Sequence, residues 1–211
     1  MGLEAMQRVT PFCEQHRLAR LAIDQGLGHE TLYEPVPATI TLSGKPVVFP
    51  VGGFLQATDD GEAALVDAVR EGVGEAKTVA DLFAGLGTFA LALKGKVYAA
   101  EASRDAVLSL KRAAPALAVE HRDLYRRPLD ASELKGFESV VLDPPRSGAE
   151  QQVMALAGSR LARIAYVSCN PATFARDARI LADGGYRLAW VKPVGQVRWS
   201  THVELAAAFR R

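Results

Sequence analysis

From Gly61 onward, short apolar runs alternate with stretches of helical period, and no other feature constrains the fold as tightly. GEAALVDAVREGV sets Ala64, Leu65, Ala68 and Val69 on one helical face. TVADLF (78–83), KVYAAE (96–101), ALAVEHRD (116–123), ESVVLD (138–143) and RIAYVS (163–168) read as five strands. Between them TFALALK, SRDAVLSLKRAA, AEQQVMALA and PATFARDARILAD read as helices. Ser103 is the expected N-cap of the second, and Pro171 opens the last. YRLAWVKPV and THVELAAAF follow as strands suited to pair as neighbours. Apolar strands separated by helices predict an α/β fold, a mostly parallel sheet covered on both faces.

The first forty-odd residues lack this pattern. Leu3–Gly26 is expected to form one amphipathic helix interrupted near Pro11, followed by the turn-rich GLGHETLYEPVPAT. ITLSGKPVVFP reads as two short strands around a Ser43-Gly44 turn. This is too little apolar material for a core of its own, so the segment packs on the rest of the chain or is the cut end of a larger neighbour. A length of 211 residues fits one domain, or one with an appendage.

Composition excludes several classes. Lys and Arg number 25 against 24 Asp and Glu, a net charge of +1. A protein held to nucleic acid mainly by bulk charge is therefore excluded, whereas a local patch is not. Arg122, Arg126, Arg127, Arg176 and Arg179 cluster along the chain, as either a solvated face or phosphate contacts. Two cysteines, Cys13 and Cys169, cannot alone hold zinc or supply four thiolates to an iron–sulfur cluster. The longest run without a charged residue or histidine, Pro46–Thr58, has thirteen residues, short of the roughly 20 a bilayer demands. The amino terminus lacks a signal peptide's basic start and apolar core, so a cytoplasmic enzyme with reduced thiols is expected.

In parallel sheets ligands bind beyond the carboxyl ends of the strands, and chemistry-bearing residues fall there. After the first strand comes FAGLGT, with Gly85, Gly87 and Thr88; with Ala90, GLGTFA also fits the dinucleotide fingerprint GxGxxG/A. The alternative is a tight turn with no ligand. Glu101 ends the second strand, where a carboxylate can accept two ribose hydroxyls; it comes 16 residues after Gly85. Asp123 ends the third, either accepting from an adenine amino group or capping a turn. Asp143 ends the fourth and is held rigidly by Pro144-Pro145, followed by Arg146.

After the fifth strand stand Cys169, Asn170 and Pro171. A thiol at a helix amino terminus is expected to have a lowered pKa, while an isolated cysteine is equally read as a small buried residue. His202 and Glu204, two apart, share a face of the last strand, with Glu204 as an edge-strand surface residue or a placed base.

DLFAGLGTF, LDPPRSGA, VSCNPATFARD and HVEL, in this order, resemble the S-adenosylmethionine-dependent RNA uracil-C5 methyltransferases, which make 5-methyluridine in ribosomal or transfer RNA. The resemblance covers roughly Pro50 to Arg211, and GFLQAT (53–58) is similar to the family's F-x-Q-x-N segment. It implies a Rossmann-like class I methyltransferase fold with an antiparallel carboxyl-terminal strand. It further implies a methyltransferase domain over residues 46–211, with 1–45 the remnant of a preceding central domain. Gln56, Phe83, Glu101, Asp123 and Asp143, with the loop residues Gly85, Gly87 and Thr88, would line the cofactor and uracil pocket. Cys169 would be the nucleophile and Glu204 the base.

The implied partner is RNA, ribosomal ahead of transfer RNA, with no membrane and no protein partner. Thr88 and Thr58 stand where the family often has Asn. The family's OB-like RNA-binding domain and four-cysteine iron–sulfur cluster have no counterpart in this sequence, which reads as an isolated catalytic domain or a natural short form. Three other readings compete. One is a cofactor-binding RNA-recognition module without turnover. Another is an amino-group methyltransferase, in which Arg146 would stand where an aromatic is usual. The third, an NAD dehydrogenase, rests only on GLGTFA.

Overall fold

The computed structural model describes residues 3–26, 28–197, 199–200 and 202–211. Helix α1 (Leu3–Gln15) runs through Pro11 without a break and stops where Arg17 turns left-handed, at φ 52°. Beyond it β1 (Leu21–Asp24) and β2 (His29–Tyr33) pair antiparallel. The expectation of one helix to Gly26 followed by turns is therefore wrong. Arg20 fixes this hairpin by donating to the Glu34 carboxylate and to the Phe49 carbonyl. β3 (Thr39–Leu42) and β4 (Lys45–Val48) form the expected second hairpin. Its buried Leu42 and Val47 pack with Leu86 and Ala106, so it is joined to the body of the protein and spans residue 45.

The remaining elements are α2 (Asp59–Val73), β5 (Thr78–Leu82), β6 (Lys96–Glu101), α3 (Arg104–Ala113), β7 (Ala118–His121), α4 (Ala131–Leu134), β8 (Ser139–Leu142), α5 (Glu150–Ala157), β9 (Arg163–Ser168), α6 (Pro171–Asp183), β10 (Arg187–Val194) and β11 (Glu204–Arg210). β5 to β11 form one sheet of seven strands in the order β10-β11-β9-β8-β5-β6-β7. β5 to β9 are parallel, and β11 runs antiparallel between β9 and β10. Thr201, where the last strand was expected to begin, lies outside the described residues; the strand starts at Glu204.

Alternation along the strands divides the core. Ala80, Leu82, Val140, Leu142, Ile164 and Tyr166 face α5 and α6. Val79, Val141, Ala165 and Val167 face α2, where Leu65 is fully buried, a burial that contributes about 2 kcal/mol. α2 and α3 are N-capped by Thr58 and Ser103, whose side chains accept from Gly61 and Ala106.

One expected helix is absent. Residues 85–92 make successive turns, with Leu91 N–H bonded to Gly87 and Leu93 N–H to Phe89. Gly87 and Gly95, both at positive φ, leave too short a span between them for a settled helix. Among the described residues, no helix is long and apolar enough to cross a membrane.

Candidate active site

The carboxyl ends of β5, β6, β8 and β9, with residues 50–56, enclose a cavity of about 550 Å3. Gln56, Phe83, Gly85, Thr88, Glu101, Asp143, Cys169 and Glu204 all line it. Gly87 and Asp123 are not on its wall. Gly87 instead packs against Leu110, where a Cβ would lie 2.5 Å from the leucine Cδ1. Asp123 caps a turn, accepting from the N–H groups of Tyr125 (2.9 Å) and Arg126 (3.3 Å). That turn brings Leu124 and Tyr125 onto the wall.

The loop after β5 departs sharply from extended geometry. Phe83 sits at φ 64°, a conformation costly for a bulky residue, about 1–3 kcal/mol. Its neighbours hold it there, since Ala84 N–H bonds Ala100 (3.1 Å) and Asp143 N–H bonds Leu82 (3.2 Å). The Phe83 ring meets Tyr125 with centroids 5.5 Å apart. Gly85, at φ 54°, donates to Glu101 Oε2 (2.9 Å), and Ser103 N–H donates to Oε1 (2.6 Å). Glu101 is therefore aimed by the glycine loop and by the start of α3.

SCNPATFARD acts chiefly as a clamp. Asn170 Nδ2 (2.9 Å) and Thr173 Oγ1 (3.1 Å) both donate to the Arg146 carbonyl. Arg176 donates to the Ser147 carbonyl (3.0 Å). The fully buried Asp177 accepts from Ala149 N–H and from the Tyr166 hydroxyl, each at 2.6 Å. These bonds lock the Asp-Pro-Pro-Arg turn to the helix behind Cys169. Glu204 arrives from the other side: Leu205 registers with Ser168, which brings Glu204 to the level of Cys169.

The site is crowded with acids. Burial pushes the Asp143 carboxyl up to about 7, and the Glu204 and Glu101 carboxyls add to it. Burial also raises Glu204, against the pull of His202 and Arg146. Cys169 departs from the expectation of a lowered thiol. Burial raises it, as do Glu204 and Asp143, and this outweighs its own backbone N–H and Arg146. His202 precedes β11 and is exposed, so strand alternation does not place it beside Glu204.

Three residues escaped the sequence reading. Asp81, within β5, is fully buried, and neither carboxyl oxygen makes a hydrogen bond of ordinary geometry. Its pKa is raised well above the usual range by burial first and by Asp143 and Glu101, with the Ala90 backbone offsetting part. An acid inside the apolar run TVADLF was the signal. Tyr125 shares the wall with Phe83. Gln196, between β10 and β11, donates to Gln56 across 140 residues of sequence (2.7 Å), and nothing local announces it.

Of the arginine cluster only Arg122 is buried, while each of the others has an acidic partner within the chain. Arg122 is buried, binding Glu133 (2.6 and 2.8 Å) and the carbonyls of Arg127 and Pro128. Arg127 pairs with Glu120, Arg179 with Asp183, Arg176 with Asp177, and exposed Arg126 with Asp123.

Residues 113–210 match the family model described as tRNA (Uracil-5-)-methyltransferase. An uncharacterized RNA methyltransferase of Zymomonas mobilis is 55% identical over 215 residues, covering 99% of this chain and 54% of the relative. The 23S rRNA (uracil(1939)-C(5))-methyltransferase RlmD of Haemophilus influenzae is 29% identical, covering 94% and 48%. The chain thus spans about half the length of the curated relatives it matches. Among solved structures, the tRNA (uracil-54, C5)-methyltransferase of Pyrococcus abyssi, in complex with S-adenosyl-L-homocysteine, superposes with a TM-score of 0.72 at 26% identity, covering 84% of this chain and 45% of that one. M. jannaschii TYW2, in complex with AdoMet, shares the fold at a TM-score of 0.63 and 18% identity, covering 92% and 94%. The architecture is the Rossmann-like methyltransferase fold.

Proposed function

The chain resembles the RNA uracil-C5 methyltransferases, and on that premise we propose that it transfers a methyl group from S-adenosylmethionine to C5 of a uridine in structured RNA, ribosomal RNA ahead of transfer RNA. The observation that carries this reading is the meeting of Cys169, Glu204 and Gln56 in one cavity lined by carboxylates. The donor set fits a cationic cofactor. Asp81 is a buried acid with no hydrogen bond of ordinary geometry, and Glu101 and Asp143 stand at the ends of β6 and β8, on either side of β5. Glu101, Asp143 and the Phe83–Gly85 turn would hold S-adenosylmethionine, with Asp81 behind them. When bound, it supplies an electrophilic methyl group on a positively charged sulfur.

The protein's own residues make the base reactive. Uracil C5 is too weak a nucleophile unaided. Addition of the Cys169 thiolate at C6 forms a C–S bond and moves the ring electrons to C5 and the C4 oxygen. Gln56 N–H groups can hold that oxygen as its charge grows. After methylation Glu204 takes the C5 proton, the C5–C6 double bond returns, and the C–S bond breaks to release the thiolate. The uridine must leave its stack to reach the cavity. Residues 46–211 would form the methyltransferase domain and 1–45 the end of a preceding domain, in a cytoplasmic RNA-modifying protein.

RNA containing 5-fluorouridine tests the reading, because fluorine at C5 cannot be removed as a proton. With S-adenosylmethionine present, a denaturation-resistant adduct to Cys169 is expected. Cofactor binding with no adduct on ribosomal or transfer RNA would instead mark an RNA-recognition module without turnover.

A further inference from the structure

Gln196 and Gln56 form a hydrogen-bond chain whose direction is fixed at one end. Gln196 Oε1 accepts from two backbone N–H groups, those of Ala57 (2.8 Å) and Thr58 (3.3 Å). A backbone N–H can only donate, so this atom must be the amide oxygen, and the other terminus must be the NH2 group. That NH2 group donates to Gln56 (2.7 Å), which must present its own oxygen in return. The Gln56 oxygen is therefore committed to Gln196. What remains for the cavity is the Gln56 NH2 group, a donor with no hydrogen-bond acceptor among the described residues.

The surroundings favour this arrangement. Thr58 caps α2, which holds the Ala57 and Thr58 N–H groups in place. Gly61, in the first turn of α2, leaves room for Gln196: a Cβ there would lie 2.6 Å from its Cγ and 2.8 Å from its Cδ. Glycine inside a helix costs about 1 kcal/mol relative to alanine, so the gap is maintained against helix propensity.

We propose that Gln196 is a positioning residue that locks Gln56 as a donor toward the target base and so selects uracil over cytosine. Uracil carries an acceptor oxygen at C4, where cytosine carries a donor amino group. A Gln56 free to turn would serve either base. A Gln56 held by Gln196 meets uracil with a hydrogen bond and cytosine with two opposed donors. The proposal rests on the uracil-C5 reading above.

The test compares wild type, Gln196→Glu, Gln56→Met and the double variant. Each acts on an unmodified transcript carrying the uridine that wild type methylates, and on the same transcript with cytidine there. A carboxylate at 196 still accepts from Ala57 and Thr58 but cannot donate, so Gln56 turns its NH2 group inward and its oxygen to the cavity. The uridine-to-cytidine ratio of kcat/KM should fall tenfold or more in Gln196→Glu, with the KM for S-adenosylmethionine and the unfolding midpoint unchanged. In the Gln56→Met background the same substitution should change nothing further. A ratio within threefold of wild type, or an undiminished effect without Gln56, would overturn the lock and leave the functional reading standing. A wild type that methylates another base in preference to uridine would bring down both.

A readout without RNA separates the two further. The Gln196 side-chain amide protons should exchange slowly in wild type and faster in Gln56→Met, by NMR of 15N-labelled protein. Equal exchange would refute the lock whatever the substrate.

Discussion

Asp143→Asn should make the ligand-free protein more stable while impairing its site. The Asp143 carboxyl titrates near 7 instead of its ordinary 3.8, burial being the main cause and Glu204 and Glu101 adding to it. A tenfold change in acidity is worth about 1.4 kcal/mol. Holding the ionised group therefore costs the folded state up to about 4 kcal/mol at neutral pH, set against a total stability of about 5–15 kcal/mol. Between pH 3.8 and about 7 the folded protein keeps a proton that the unfolded chain has released. Wild-type stability should therefore fall as pH rises through that window and level off above it. An amide of the same shape carries no such penalty, and its own imperfect hydrogen bonding returns part of the gain. The expected advantage of Asp143→Asn is about 2–4 kcal/mol at pH 7.5 and close to zero at pH 4. Urea denaturation at a series of pH values measures it. A difference independent of pH, or a less stable variant at pH 7.5, would refute the reasoning. S-adenosylmethionine should protect wild type more than the sulfur-neutral S-adenosylhomocysteine does, and increasingly so from pH 5 to 8.

Three other outcomes are expected. Glu204→Gln should accumulate a covalent adduct on ordinary uridine RNA, while Cys169→Ala forms none, as read on denaturing gels; normal methylation by Cys169→Ala would disprove the nucleophile. Because Glu204 is among the charges raising the thiol, Glu204→Gln should also shift the pH profile of Cys169 alkylation by iodoacetamide to lower pH, and an unmoved profile counts against that coupling. Asp177→Ala strands the Tyr166 hydroxyl and the Ala149 N–H and leaves Arg176 only Glu150 and the Ser147 carbonyl, and should cost about 3–5 kcal/mol in urea denaturation.

The sheet was legible because its strands are apolar and their ends are chemical. KVYAAE, RIAYVS and PATFARDARILAD coincide with β6, β9 and α6, the last because Asn170 and Pro171 punctuate it. The β1–β2 hairpin was not legible, since HETLY is polar and mostly exposed, and its register is fixed by the distant pair Arg20–Glu34. Eight of the ten expected site residues reach the cavity wall, Gln56 through the likeness of GFLQAT to a family segment and the others because they stand at or just beyond strand ends. The thiol's electrostatics went the other way. The helix amino terminus next to Cys169 is visible in sequence, whereas Glu204 and Asp143 become its neighbours only through the sheet. Asp81 lies inside β5, where position relative to the strand end does not mark it.

The insertion of β11 between β9 and β10 has a consequence for how the protein is made. A ribosome delivers residues 204–210 after every other strand, yet they occupy the interior of the sheet and not its margin. Until they emerge, β9 and β10 lack their shared neighbour and Cys169 lacks its opposing acid. A nascent chain would thus hold its thiol beside Asp143 but without Glu204 until synthesis has passed that strand. A premature stop before Glu204 would delete the strand that joins β10 to the rest of the sheet, yielding a chain for proteolysis.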